Sequence, residues 1–250
     1  LQPGAVPQPL TPAASDAMMI DFCLAEDGNQ LFFVQEVPAR DAENVSRICT
    51  LTLADADAGL QPGVLVEGAD FYANPVVSAD ATVIAWLEWD HPQMPWDGTR
   101  LMRARLARNA DGALHIDPRS VQTVAGGNQS AVCQLQFDDA GRLFFCLDGV
   151  DTERALQSAA WDLFFQDENG IHRVTDDDAE YGEAHWIFGQ QRYAVLSDER
   201  VIAIRTIEGV DELVDIDLAS GRVRPAHGET FSSLQQLTRV DDASVAFVAA

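Results

Sequence analysis

The stretch WDHPQMPWDGT, residues 89–99, crowds two Trp, two Pro, one His, two Asp and a Gly into eleven positions, directly after an apolar run. Asp90, His91 and Asp97 are groups that move protons or hold cations, and Trp96 is a residue that lines ligand cavities. A metal site is disfavoured, because no second His or Cys lies at ligand spacing. The competing role is structural. Pro92 and Pro95 stiffen the loop by fixing φ, the Trp rings supply buried area, and the Asp side chains cap backbone donors. That structural role outweighs direct substrate contact, and a stiff loop would in turn fix the surface around it.

Other chemistry-bearing residues give less. A hydrolase nucleophile elbow needs G-x-S-x-G, since small residues must flank a Ser held in a strained strand-to-helix turn. The nearest pentapeptide, GNQSA at 127–131, ends in Ala and opens no apolar helix. The acidic run TDDDAE at 175–180 lacks the alternating oxygen ligands and central Gly of a calcium loop, and reads as a solvated connection. His115, His172, His185 and His227 are scattered singly. Cys23, Cys49, Cys133 and Cys146 show no C-x-x-C spacing and sit in apolar runs, as buried reduced thiols do. No catalytic residue, cofactor or metal is expected in this chain, and by itself it should not be an enzyme.

Charge narrows the partners. Forty acidic residues against sixteen basic ones, all of them Arg, give a formal net charge of −24. Such a field repels phosphate backbones and anionic lipid, so neither nucleic acid nor a membrane is an expected partner. No run approaches the length of a spanning helix, and the opening LQPGAV has neither a basic nor an apolar targeting region. A cytoplasmic location is the corresponding expectation.

The elements that must position the loop repeat along the chain. A short turn between two β-like runs recurs as LAEDGNQLFFV, VSADATVIAWL and QFDDAGRLFFC, with Gly28, Ala81 and Gly141 in register. A second turn ends at Gly59, Gly112, Gly170 and Gly221. Both markers report a period of about 50 to 60 residues, in or just above the range of propeller blades. Each period holds four short runs rich in β-branched and aromatic residues. In the second they are FYANPVVSA, TVIAWLEW, TRLMRARLA and SVQTVAG. Only DTERALQSAAW, 151–161, has room for a helical turn.

The fold class expected is therefore all-β, a β-propeller of four-stranded antiparallel blades, in preference to a β-sandwich. Blades are placed at 17–68, 70–125, 131–177 and 182–228. An outer strand of a preceding blade is placed at 1–13, and the first half of a further one at 230–250. Such a chain reads as a segment of a larger ring, and its open edges invite pairing into a homodimer. The alternative is a free-standing propeller that binds a protein or ligand.

DFYANPVVSADATVIAWLEWDHPQMPWDGTRLMRARL resembles a stretch of the propeller domain in the prolyl oligopeptidase family of serine peptidases, nearest the acylaminoacyl-peptidase and dipeptidyl-aminopeptidase branch. The similarity continues through AEYGEAHWIFGQQRYAVL at 179–196 and DLASGRVRPA at 217–226, and covers essentially the whole chain. One departure is Ala81, where the family turn has Gly. That should cost little if the turn needs no positive φ.

The resemblance implies a seven-bladed propeller followed by a C-terminal α/β-hydrolase domain carrying Ser, Asp and His. In its register this chain corresponds to the third to sixth blades and the start of the seventh. It further implies that the face bearing 89–99 looks toward the hydrolase domain of the same parent chain. Asp90, His91, Trp96 and Asp97 would then line the substrate cavity or the interdomain surface, where carboxylates could attract the free amino terminus of a short peptide.

Overall fold

The computed structural model describes residues 6, 9–12, 16–39, 43–53, 60–154, 156–226 and 231–250. Four antiparallel sheets follow one another along the chain, each pairing its strands in sequence order except that the last strand of the second returns to that sheet's third strand. The first holds β1 (Met18–Leu24), β2 (Gln30–Val37), β3 (Val45–Thr52) and β4 (Gly63–Glu67). The second holds β5 (Phe71–Val77), β6 (Val83–Trp89), β7 (Arg100–Arg108), β8 (Leu114–Ile116) and β9 (Gln122–Gly126). The third has β10 (Ser130–Phe137), β11 (Leu143–Asp151), β12 (Leu156–Asp167) and β13 (Gly170–Arg173). The fourth has β14 (Tyr193–Ser197), β15 (Arg200–Ile207), β16 (Val210–Asp217) and β17 (Arg222–Pro225), and a hairpin of β18 (Leu234–Arg239) and β19 (Val245–Ala249) follows.

The middle strands of the second, third and fourth sheets read as largely apolar runs because these sheets are covered on both faces. Side chains of β11 alternate between two cores. Leu143, Phe145 and Leu147 pack toward the second sheet with Leu87 and Leu101, whereas Phe144 and Cys146 pack toward the fourth with Tyr181 and Tyr193. The same division holds in β6, where Ile84 and Trp86 meet Phe32 and Val34 of the first sheet while Ala85 and Leu87 point the other way. In β15, Val201 and Ala203 face the third sheet, and Ile202 and Ile204 pack on Leu234 and Leu237. Sheets stacked face to face in sequence order, each with a two-residue side-chain period, form a β-propeller.

The first strand of a blade carries the stitching. Strands β1, β5, β10 and β18 each shift register at a bulge, and there Asp21, Asn74, Gln134 and Gln236 hold φ between 48° and 58°. The bulge turns a polar side chain toward the next sheet. Asp21 Oδ2 accepts from Asn74 N, Asn74 Oδ1 accepts from Leu135 N at 2.6 Å, and Gln134 Oε1 accepts from Arg192 N at 3.1 Å. A backbone donor of the second, third and fourth blades is thereby satisfied by the blade before it.

Three local expectations need correction. Ala81 has φ 53°, in the same left-handed region as Gly28 (68°) and Gly141 (81°), so the turn does require positive φ there. The run expected as one fourth strand in the second sheet is shared. β9 pairs the first part of β7 and β8 pairs the last part, with Pro118 and the capping side chain of Asp117 breaking the edge between them. DTERALQSAAW holds no helix among its described residues; Leu156, Gln157 and Ser158 pair with Asp151, Val150 and Gly149. The expected outer strand over 1–13 and the marker Gly59 fall largely or wholly outside the described residues, as does His227.

Candidate functional site

The loop between β6 and β7 is held on three sides. Trp89 closes β6 by stacking on Phe71 at 5.3 Å. Beyond it, Asp70 N donates to Asp90 Oδ1 (3.0 Å) and His91 N donates to Asp70 Oδ2 (2.9 Å), a reciprocal pair that ties the loop to the connection from the first sheet. Arg100 Nη2 donates to Asp90 Oδ2 at 2.7 Å and to Glu88 Oε1 at 3.2 Å. This guanidinium is the main reason the Asp90 carboxyl lies below its ordinary range.

The far end of the loop is as tightly packed. Met94 N donates to Asp97 Oδ2 (3.3 Å), while Asp97 N and Gly98 N both donate to Met94 O. A side chain at Gly98 would meet Gly127 O at 2.8 Å, so only Gly lets the loop lie against the connection that leads to β10. Thr99 completes this contact, donating its N–H to Ser130 O and accepting from Gly127 N, each at 3.1 Å. The His91–Pro92 peptide is cis.

The four candidate residues therefore divide. Asp90 and Asp97 use their carboxylates within the loop and its neighbouring connection. His91 sets its ring edge-on to Phe71 and places Nε2 3.3 Å from Glu43 Oε2, in the link between β2 and β3. Trp96 reaches across to the connection between β13 and β14, where its ring lies 4.2 Å from that of Trp186.

That connection supplies what the sequence reading left without a role. Trp186 is 67% exposed and Ile187 60%, with Phe188 and Met94 also open to solvent. Gln190 Oε1 accepts from the backbone N–H of both Trp186 and Ile187, so the turn presents these side chains in a fixed arrangement. Beneath them His185 meets Phe188 edge-on at 5.8 Å, and burial pushes its imidazole down to a pKa of about 4. The signal was three large apolar residues before a Gly, HWIFG, in a segment with no strand alternation.

The remaining chemistry-bearing residues sit in structural positions. Ser130 of GNQSA is buried at the start of β10, after a hairpin turn rather than before a helix. Within 175–180, Asp177 accepts from Tyr181 Oη and Arg205, and Thr175 Oγ1 donates to Asp162. His172 pairs with Asp167 at 2.9 Å. Cys133 and Cys146 oppose each other across β10 and β11, and all four thiols are free. Among the described residues no group of three or more His, Cys, Asp or Glu is placed to hold a metal ion, and no helix is long and apolar enough to cross a membrane.

Comparison with known proteins places this arrangement. No protein-family model matches the chain, and no curated protein matches it in sequence. Among solved structures, puromycin hydrolase matches with a TM-score of 0.80 at 25% identity, over 99% of this chain and 36% of that one. A Mycobacterium tuberculosis puromycin-hydrolysing peptidase matches at 0.77 and 24%, over 96% of this chain and 35% of that one. Prolyl oligopeptidase B from Galerina marginata matches at 0.63 and 12%, over 92% and 30%. The chain thus spans about a third of the length of these proteins, and its fold is that of their propeller portion. The likeness to peptidases of the prolyl oligopeptidase kind, read from the loop at 89–99, recurs in these structural neighbours.

Proposed function

We propose that this chain is the non-catalytic propeller segment of a serine peptidase, corresponding to the third to sixth blades and part of the seventh. It covers the active site of a C-terminal α/β-hydrolase domain and admits only short, unstructured peptides. Selection is steric, because a folded substrate cannot enter the space between the two domains.

The observation that carries this reading is the apolar platform made by the half-buried Trp96 and the exposed Trp186 and Ile187. It stands where the loop from β6 to β7 and the connection from β13 to β14 come together, on one face of the propeller. Contiguous apolar side chains held by a stiff loop mark an interaction surface. In the resembled peptidases this is the face toward the hydrolase. Asp90, His91 and Asp97 then act by shaping that surface, and Trp96 by contributing to it.

The test uses the polypeptide that carries this chain in its natural context. Hydrolysis of aminoacyl and dipeptidyl arylamides, of peptides of increasing length and of a folded protein is compared. The reading expects kcat/KM to fall steeply with length and the folded protein to survive. Pro92→Ala combined with Pro95→Ala should loosen the loop and relax the limit. Equal cleavage of short and folded substrates, or a polypeptide without hydrolase activity, would remove the proposal.

A further inference from the structure

A groove of about 520 Å³ lies between the first and second sheets. Its walls are apolar, with Leu65 from β4, Trp86 from β6, Met102 from β7, Ile116 from β8 and Val121 beyond the 3-10 turn Pro118–Ser120. Its polar lining is one-sided, comprising the carboxylates of Glu67, Glu88 and Asp90 against the single guanidinium of Arg100. An apolar cavity of this size with a few convergent polar groups is the usual form of a small-molecule site.

The charges decide what kind of molecule fits. Arg100 already donates to both Glu88 and Asp90, so it has little left to offer an anion. Glu88 is only 13% exposed along its side chain, and its Oε2 accepts from Trp86 Nε1 at 2.9 Å, which sets a carboxylate beside the indole in the wall. The same carboxylates act on the Tyr72 hydroxyl. Burial and the nearby Glu88, Asp90 and Glu67 carboxylates push it up to about 12, against the opposing N–H of Ala69. A cation entering here gains attraction from the carboxylates.

We propose that this groove binds a small organic cation, a protonated amine carrying an aromatic or branched apolar group. Glu88 and Glu67 attract the ammonium, while Leu65, Met102 and Ile116 enclose the apolar part. The inference stands independently of the peptidase reading.

Phenethylamine, phenethyl alcohol and hydrocinnamate present the same ring with positive, neutral and negative ends. Each is titrated at low salt into the full chain, by calorimetry and by the NMR shift of the Trp86 indole N–H. Saturable binding of the amine at a single site is expected, with the alcohol about tenfold weaker and the acid not bound. Glu67→Gln, on an exposed residue, should weaken the amine about threefold. Val121→Trp should fill the groove and abolish binding while leaving the thermal midpoint in place. Comparable affinity for all three probes, amine binding that survives Val121→Trp, or no binding of the amine would each overturn the proposal.

Discussion

Asn74 donates its backbone N–H to the carboxylate of Asp21, and the two residues occupy the same left-handed bulge in successive blades. Burial raises the Asp21 carboxyl above its ordinary range, with the Asn74 N–H opposing it. The folded chain therefore holds this proton more tightly than the unfolded chain. Its stabilising contribution is complete below about 3.9, the unfolded value, and is lost as pH rises through the folded one. Asp21→Asn keeps an acceptor for Asn74 and removes the charge. Chemical denaturation should show the variant about 1 kcal/mol more stable at neutral pH, with the difference shrinking in acid. A variant no more stable than the parent at neutral pH would contradict this account.

Ala81 offers a second gain. Its φ of 53° is unfavourable for any residue with a Cβ, and two related turns solve the problem with Gly28 and Gly141. Ala81→Gly relieves that cost but adds freedom to the unfolded chain. The net expectation is about 0.5–1 kcal/mol of stabilisation, or a thermal midpoint about 2 °C higher. An unchanged or lower midpoint would mean the turn is not strained at this position.

These two sites show what the sequence carried and what it did not. The repeat could be read from turn chemistry, and the middle strands were recognisable as runs such as RLFFCL because they are buried on both faces. The bulge residues were legible too: Asp21 and Asn74 interrupt otherwise apolar first strands, and with Gln134 they lie 53 and 60 positions apart, matching the turn spacing. Backbone sign at Ala81 was not legible, since an Ala gives no local warning of positive φ. The β8–β9 division depends on which half of β7 each segment reaches, a long-range matter. Likewise, Trp96 stood out by composition, but its partner lies ninety residues away in Trp186.

The indole pair makes its own prediction. With ring centroids 4.2 Å apart, Trp96 and Trp186 should give an exciton couplet in far-ultraviolet circular dichroism. Trp96→Phe and Trp186→Phe should each abolish it, and the double variant should change nothing further. A double-mutant cycle with Ala should return a coupling of about 1 kcal/mol. Survival of the couplet in either single variant would show that the two loops are not in contact in solution.

Arg173 separates a buried ion pair from an exposed one. It donates to Asp162, whose carboxylate also accepts from Ser158 Oγ (2.5 Å) and Thr175 Oγ1 (3.2 Å) and is almost wholly enclosed. The same guanidinium reaches the exposed Asp176 at 3.0 Å. Asp162→Ala removes the buried acceptor shared by two hydroxyls and the guanidinium, and should cost about 3 kcal/mol, or about 10 °C in thermal midpoint. Asp176→Ala should cost less than about 0.5 kcal/mol. Similar losses for the two variants would show that burial is not what sets the difference.

His185 gives the acid response its opposite sign. Its Nδ1 is buried without a hydrogen-bond partner among the described residues, and burial lowers the imidazole to about 4. The unfolded chain takes up this proton near the ordinary value of about 6.5. The stability supplied by neutral His185 is therefore complete above that value and is lost as pH falls through about 4. An NMR titration should place its midpoint near 4, and His185→Gln should flatten the decline in stability between those limits. A midpoint near 6.5 would show instead that the imidazole is solvated. Asp21 works against His185, since its proton uptake stabilises the folded chain as the solution becomes acid. Asp21→Asn should consequently steepen the acid loss that His185→Gln relieves, and the double variant should fall between the two.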